Sequence, residues 1–144
     1  MWCLGRAQAH DRGLLHHTAR PCIEGVDIRA DGFHRLGVLF DEQAAQLVGT
    51  VDDLGERVRK NDEYTLTSIG SVTKNTRIKD QDDVTLSADA MVKELRDDNK
   101  TLHKRLGEVK EAAEEAGDNA TSGVVDDWID ECEERIWFLN QTSK

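Results

Sequence analysis

With 144 residues, a single proline, 38% apolar and 33% charged side chains, the chain has the size of one domain and the balance of a helical one rather than a sheet protein. A net charge of −10 works against direct binding to nucleic-acid phosphates and favours cations as partners, although an acidic surface serving only solubility has the same composition. No apolar run reaches the roughly 18 residues of a membrane span.

The opening stretch, MWCLGRAQAH, lacks the apolar core of a signal peptide, so no export is expected. Cys3, Cys22 and Cys132 are odd in number, widely spaced and form no C-x-x-C. A disulfide framework or zinc site is therefore not expected, and a reducing cytoplasm is the simplest home.

Residues 1–24 show no sustained helical period, contain Gly5 and Gly13, and place Pro21 where a helix would have to continue. The first clear helix is predicted from Gly32 to Lys60. Leu36, Phe40, Leu47, Val51, Leu54 and Val58 form one stripe, with Gln43 and Ala44 filling its gap. A polar stretch follows, in which TLTSIGSV (65–72) reads as a short helix and KNTRIKDQDD as loop.

Ser87 reads as the N-cap of the next helix, with Asp89 in its first turn where the dipole favours negative charge. Its stripe is Met91, Leu95, Leu102, Leu106, Val109 and Ala113, interrupted by Asn99. Gly117 supplies a left-handed stop, and Asp118 caps the last helix. That helix carries Val125, Trp128, Ile129, Cys132, Ile136 and Leu139, and frays at NQTSK. The long crossover (roughly 61–86) is the length that can run from one end of a bundle to the other.

Asp41, Asp52 and Glu56 stand apart from the apolar stripe of the first clear helix. Eleven residues are three turns, so Asp41 and Asp52 differ by only about 20° in direction, with Glu56 about 40° further round. Gly37, Ala44, Val48 and Gly55 flank them, small enough to admit another helix. Against an antiparallel copy of itself, Asp41 of one chain would face Asp52 and Glu56 of the other. Oxygen ligands of this kind suit hard cations. The plainer alternative is a solvated face, with Asp52 and Asp53 pairing Arg57 and Arg59. His34 shares the carboxylate stripe but sits two turns from Asp41; His16, His17 and His103 read as solvated or satisfied. Trp128, Trp137 and Phe138, at helical spacing, read as core and subunit contact.

Four stretches, FHRLGVLFDEQ, VDDLGERVRK, MVKELRDDNKTL and EEAGDNATSGVVDDWIDECEERIWFL, occur in the order and spacing of the Dps family of ferritin-like proteins. The resemblance covers residues 25–144 and leaves 1–24 as an atypical segment in place of the family's first helix. That segment is either a divergent helix or foreign to the native start. The implied fold is all-α: a ferritin-like four-helix bundle whose long crossover carries a short extra helix. The implied activity is oxidation of ferrous iron, usually with peroxide, and storage of the ferric mineral in a hollow dodecameric shell.

Ferritin-like bundles commonly hold metal in the core on Glu-x-x-His pairs, which this chain lacks. The Dps variant instead builds its iron site between subunits, from two histidines and an aspartate of one chain and an aspartate and glutamate of the other. With Phe33 aligned, Asp41 falls on the first aspartate, Asp52 on the second and Glu56 on the glutamate. Gly25 and Gly37 stand where the family has its histidines, Val26 where it has tryptophan and Ala30 where it has glycine. Asp126, Asp127, Asp130 and Glu131 resemble the acidic lining of the family's three-fold iron channel. The lysine-rich tail through which many members bind DNA is missing: residues 1–20 hold only Arg6, Arg12 and Arg20. The resemblance implies an iron-binding homo-oligomer, while the missing tail and the net charge of −10 disfavour direct DNA binding and, with it, a DNA-compacting protein. A shell that has lost its oxidation chemistry is the alternative.

Overall fold

The computed structural model describes residues 30–142, and all of its regular elements there are helices. They are α1 (Ala30–Lys60), α2 (Ile69–Asn75), α3 (Ala88–Glu115) and α4 (Asn119–Thr142). The expectations placed on residues 1–24, on Gly25 and on Val26 lie outside the described residues. The chain divides into two compact units that meet in sequence at Thr85–Leu86.

In the first unit, α1 starts two residues before its predicted boundary and buries Leu36, Gln43, Leu47 and Val51. These positions fall on one side of a 3.6-residue helix. Phe40 and Val58, in the same stripe, are half-buried, and Leu54 is exposed. The helix ends where Asp62 takes a left-handed conformation (φ 61°) and the Glu63 N–H reaches the Val58 carbonyl at 3.2 Å. Aspartate tolerates that backbone better than most residues. The short crossover helix lies a little later than predicted, at 69–75. Ser68 caps it, accepting from the Ser71 N–H at 3.1 Å, and none of its residues is buried.

The second unit is a helical hairpin. Ser87 caps α3 as predicted, its Oγ accepting the Ala90 N–H at 3.3 Å, with Asp89 in the first turn. Gly117 adopts φ 71°, which lets the Asp118 N–H reach the Ala113 carbonyl at 2.8 Å and closes α3. Asp118 then accepts from the Thr121 N–H at 3.0 Å and opens α4. Val125, Cys132 and Leu139 are fully buried along α4, with Trp128 close behind. Burying aliphatic side chains of this size contributes about 1.5–3 kcal/mol each. The helix runs on through Thr142 instead of fraying at Asn140.

Asn99, read from the sequence as a gap in the α3 stripe, is 3% exposed and serves the core. Its Nδ2 donates to the Leu95 carbonyl and its Oδ1 accepts from Arg135 Nε, both at 2.8 Å. The Cys132 thiol donates to the Asn99 carbonyl at 3.1 Å. Helix α3 is thus tied to α4 by a polar link inside an otherwise apolar seam. Burial pushes the Cys132 thiol up from its ordinary range, against a smaller opposing influence from Arg135, so it stays protonated at neutral pH.

Candidate metal centre

Helix α1 carries two opposed faces. One is the buried stripe of Leu36, Gln43, Leu47 and Val51; Asp41, Asp52 and Glu56 stand exposed on the other. The same 3.6-residue repeat that fills the core sets the carboxylates outward. At about 1.5 Å per residue, Asp41 and Asp52 lie roughly 16 Å apart along the axis, and Asp52 and Glu56 roughly 6 Å apart. One α1 helix therefore cannot close these three carboxylates around an ion. Among the described residues no three His, Cys, Asp or Glu side chains converge as a metal would require.

The surface around the carboxylates suits close approach by another helix. Gly37, Ala44 and Gly55 are half-buried, and Val38 and Val48 are exposed apolar residues on the same side. A Cβ added at Gly37 would meet nothing within 4 Å, and one at Gly55 would make ordinary contact with Thr65 Cγ2 at 3.9 Å. A side chain at 37 would therefore displace none of the described residues. Glycine is not imposed there by crowding.

Glu56 is engaged within its own helix: Lys60 Nζ donates to its Oε2 at 2.9 Å. The other two cations of that last turn point elsewhere. Arg57 donates to Asn61 Oδ1 at 3.0 Å, while Arg59 donates to the Glu63 carbonyl at 2.8 Å and stacks over Tyr64 at 4.9 Å. Asp41, Asp52 and Glu56 by themselves are an all-oxygen donor set, which fits hard divalent cations and lacks the imidazole nitrogen that improves the fit to iron.

His34 is exposed on the carboxylate side of α1. His103 is satisfied across the hairpin, its Nε2 lying 3.0 Å from Glu133 Oε1. His16 and His17 lie outside the described residues. On α4, Asp127 and Asp130 are exposed, whereas Asp126 pairs with Lys110 of α3 and Glu131 lies 3.7 Å from Arg135 Nη1. That pairing raises the Lys110 pKa. The four acids are thus not one equivalent lining: two already have basic partners within the hairpin.

The aromatic expectation divides. Trp128 is the core member; Trp137 and Phe138 are 55% and 41% exposed on the single chain, their rings 4.7 Å apart and tilted, which leaves them for the subunit-contact part of the expectation. Trp137 falls on the solvent side of α4, in line with Asp126, Asp130 and Glu133.

Comparison with known proteins agrees with the helical architecture. The family model for the ferritin-like domain matches residues 26–144. A DNA protection during starvation protein of Helicobacter pylori (strain J99) is 31% identical over 88 residues; the match spans 61% of this chain and 61% of that relative. Among solved structures, the Dps protein of Vibrio cholerae O1 superposes with a TM-score of 0.79 at 25% identity, covering 92% of this chain and 82% of that one. That protein is described as a member of a broad superfamily of ferritin-like diiron-carboxylate proteins. A Dps protein from Bacillus brevis gives 0.80 at 22% identity, covering 92% and 88% of the two chains. Dps from Thermosynechococcus elongatus gives 0.78 at 20%, covering 90% and 79%.

Proposed function

The chain belongs to the ferritin-like domain family, and from that premise we propose that it is a Dps-like protein that binds Fe2+ between paired subunits, oxidises it and stores the ferric product in a hollow oligomeric shell in the cytoplasm. The observation that carries this reading is the placement of Asp41, Asp52 and Glu56 on the exposed side of α1, opposite its buried stripe. Two antiparallel copies of α1, meeting over Gly37, Ala44, Val48 and Gly55, set Asp41 of one chain against Asp52 and Glu56 of the other. Iron is the substrate here. The carboxylates hold the ion and offset its charge, and each Fe2+ gives up one electron to peroxide or oxygen. The exposed Asp127 and Asp130 at the start of α4 raise the local cation concentration by their field.

A second reading is favoured by the glycine at 37, where a family ligand stands: a shell that keeps the fold and binds cations without oxidising iron efficiently. One pair of measurements decides between them. Light scattering on a sizing column gives the particle mass, and mixing the particle with Fe2+ and peroxide gives the oxidation rate from ferric absorbance. A dodecamer that oxidises iron faster than buffer supports the first reading. A dodecamer that does not, but gains the activity on Gly37→His, supports the second. A monomer or dimer has no cavity and overturns storage altogether.

A further inference from the structure

Three cations close α1, and each has a different partner. Arg57 turns to Asn61, and Arg59 turns to the Glu63 carbonyl and the Tyr64 ring. Only Lys60 turns back along the helix to a candidate ligand, its ammonium 2.9 Å from Glu56 Oε2. The order, glutamate four residues before lysine, is the favourable one for a helix pair, and the lysine also sits where the helix C-terminus attracts positive charge.

From this we infer that Lys60 is the resident counter-ion of Glu56, which an incoming divalent cation must displace, so that Lys60 sets how readily the site fills. The inference rests on the two-chain site proposed above. An ammonium on Glu56 Oε2 competes for one of the two carboxylate oxygens, and a doubly charged ion arriving beside it is repelled. Both side chains are 59% exposed, so the pair is held weakly and can open. The lysine then swings into solvent, but it remains tethered nearby and continues to oppose the bound ion. Lys60 is therefore a positioning and selectivity residue: it holds Glu56 in the absence of metal and disfavours casual occupancy at low cation concentration. Arg59, although one residue away and equally charged, is committed to the turn after the helix and does not take this role.

The test is a titration of the assembled protein with Mn2+ alone, the free ion being followed by its electron paramagnetic resonance signal. Lys60→Gln is expected to tighten binding by about three- to tenfold. Lys60→Arg, which keeps the charge, stays within about twofold of the unsubstituted protein, and so does Arg59→Gln. An unchanged affinity in Lys60→Gln, or an equal gain in Arg59→Gln, overturns the inference and leaves the proposed site standing. Mn2+ binding that survives Asp52→Asn at full strength overturns the site itself, and this inference with it.

Discussion

Arg135 on α4, 3% exposed, donates its Nε–H to Oδ1 of the equally buried Asn99 on α3 at 2.8 Å. A guanidinium taken out of water depends on such acceptors, and Asn99 has its other amide group committed to the Leu95 carbonyl. Replacing Asn99 with leucine keeps the volume and deletes the acceptor. The expected loss is about 2–4 kcal/mol of unfolding free energy, read from denaturant midpoints. Replacing Arg135 with methionine as well should recover much of that loss. A double variant as unstable as the sum of the singles would show that the two residues act independently.

Cys132 links the same network to pH. Its folded-state pKa lies above the ordinary thiol value, with burial as the main cause. A thiol of raised pKa stabilises the fold fully below the unfolded-state pKa and loses that contribution as pH rises towards the folded one. Above a pH of about 8.5 the unfolded chain sheds the proton that the native thiol retains. Stability should therefore fall as pH rises above about 8.5, and Cys132→Ala should remove part of that fall. A thiol reagent at neutral pH should modify Cys132 only as fast as the hairpin opens. Prompt modification in the native protein would contradict the buried placement.

The glycines at 37 and 117 should respond oppositely to alanine. Gly37 lies inside α1 with open space around it, so Gly37→Ala is expected to raise stability by up to about 1 kcal/mol through helix propensity. Gly117 has φ 71°, where a Cβ is strained, and Gly117→Ala should lower stability by roughly 1 kcal/mol. Thermal melts of the two variants would settle the contrast by the sign of each shift.

Direction on the helix should govern iron uptake. Asp52 and Asp53 are neighbours in sequence, yet they point about 100° apart. In the assembled particle, Asp52→Asn is expected to lower the rate of Fe2+ uptake at least about tenfold, and Asp53→Asn by less than about twofold, as expected when only one of the two removes a ligand. Equal effects of the two substitutions would mean that general surface charge, and not a ligand at 52, is responsible.

The helices were legible in the sequence because their signals are local. Ser87, Gly117 and Asp118 each act within one turn of their own position, and the structure places them as caps and stop. The α3 and α4 stripes were legible at Met91, Ala113, Val125, Trp128, Cys132 and Leu139. Arg135 and Asn99 were not, because polarity was read as exposure. What buries them is their mutual bond, a relation between positions 36 apart that no periodicity encodes. Trp137 was left out of the buried α4 stripe, and its place on the wheel is outward. For the site, sequence spacing was enough to put three carboxylates on one side of α1. The Lys60 contact was not read, although its i, i+4 spacing from Glu56 was there to find.

The opposed faces of α1 have an evolutionary consequence. The residues that hold the helix in the fold and the carboxylates proposed as ligands are disjoint sets, Leu36, Leu47 and Val51 on one side and Asp41, Asp52 and Glu56 on the other. Substitution on the carboxylate side leaves the buried stripe untouched, and among the described residues nothing crowds a side chain at Gly37. On the proposed function, iron chemistry at this face can be lost or regained by substitutions that ask nothing of the residues that fold α1.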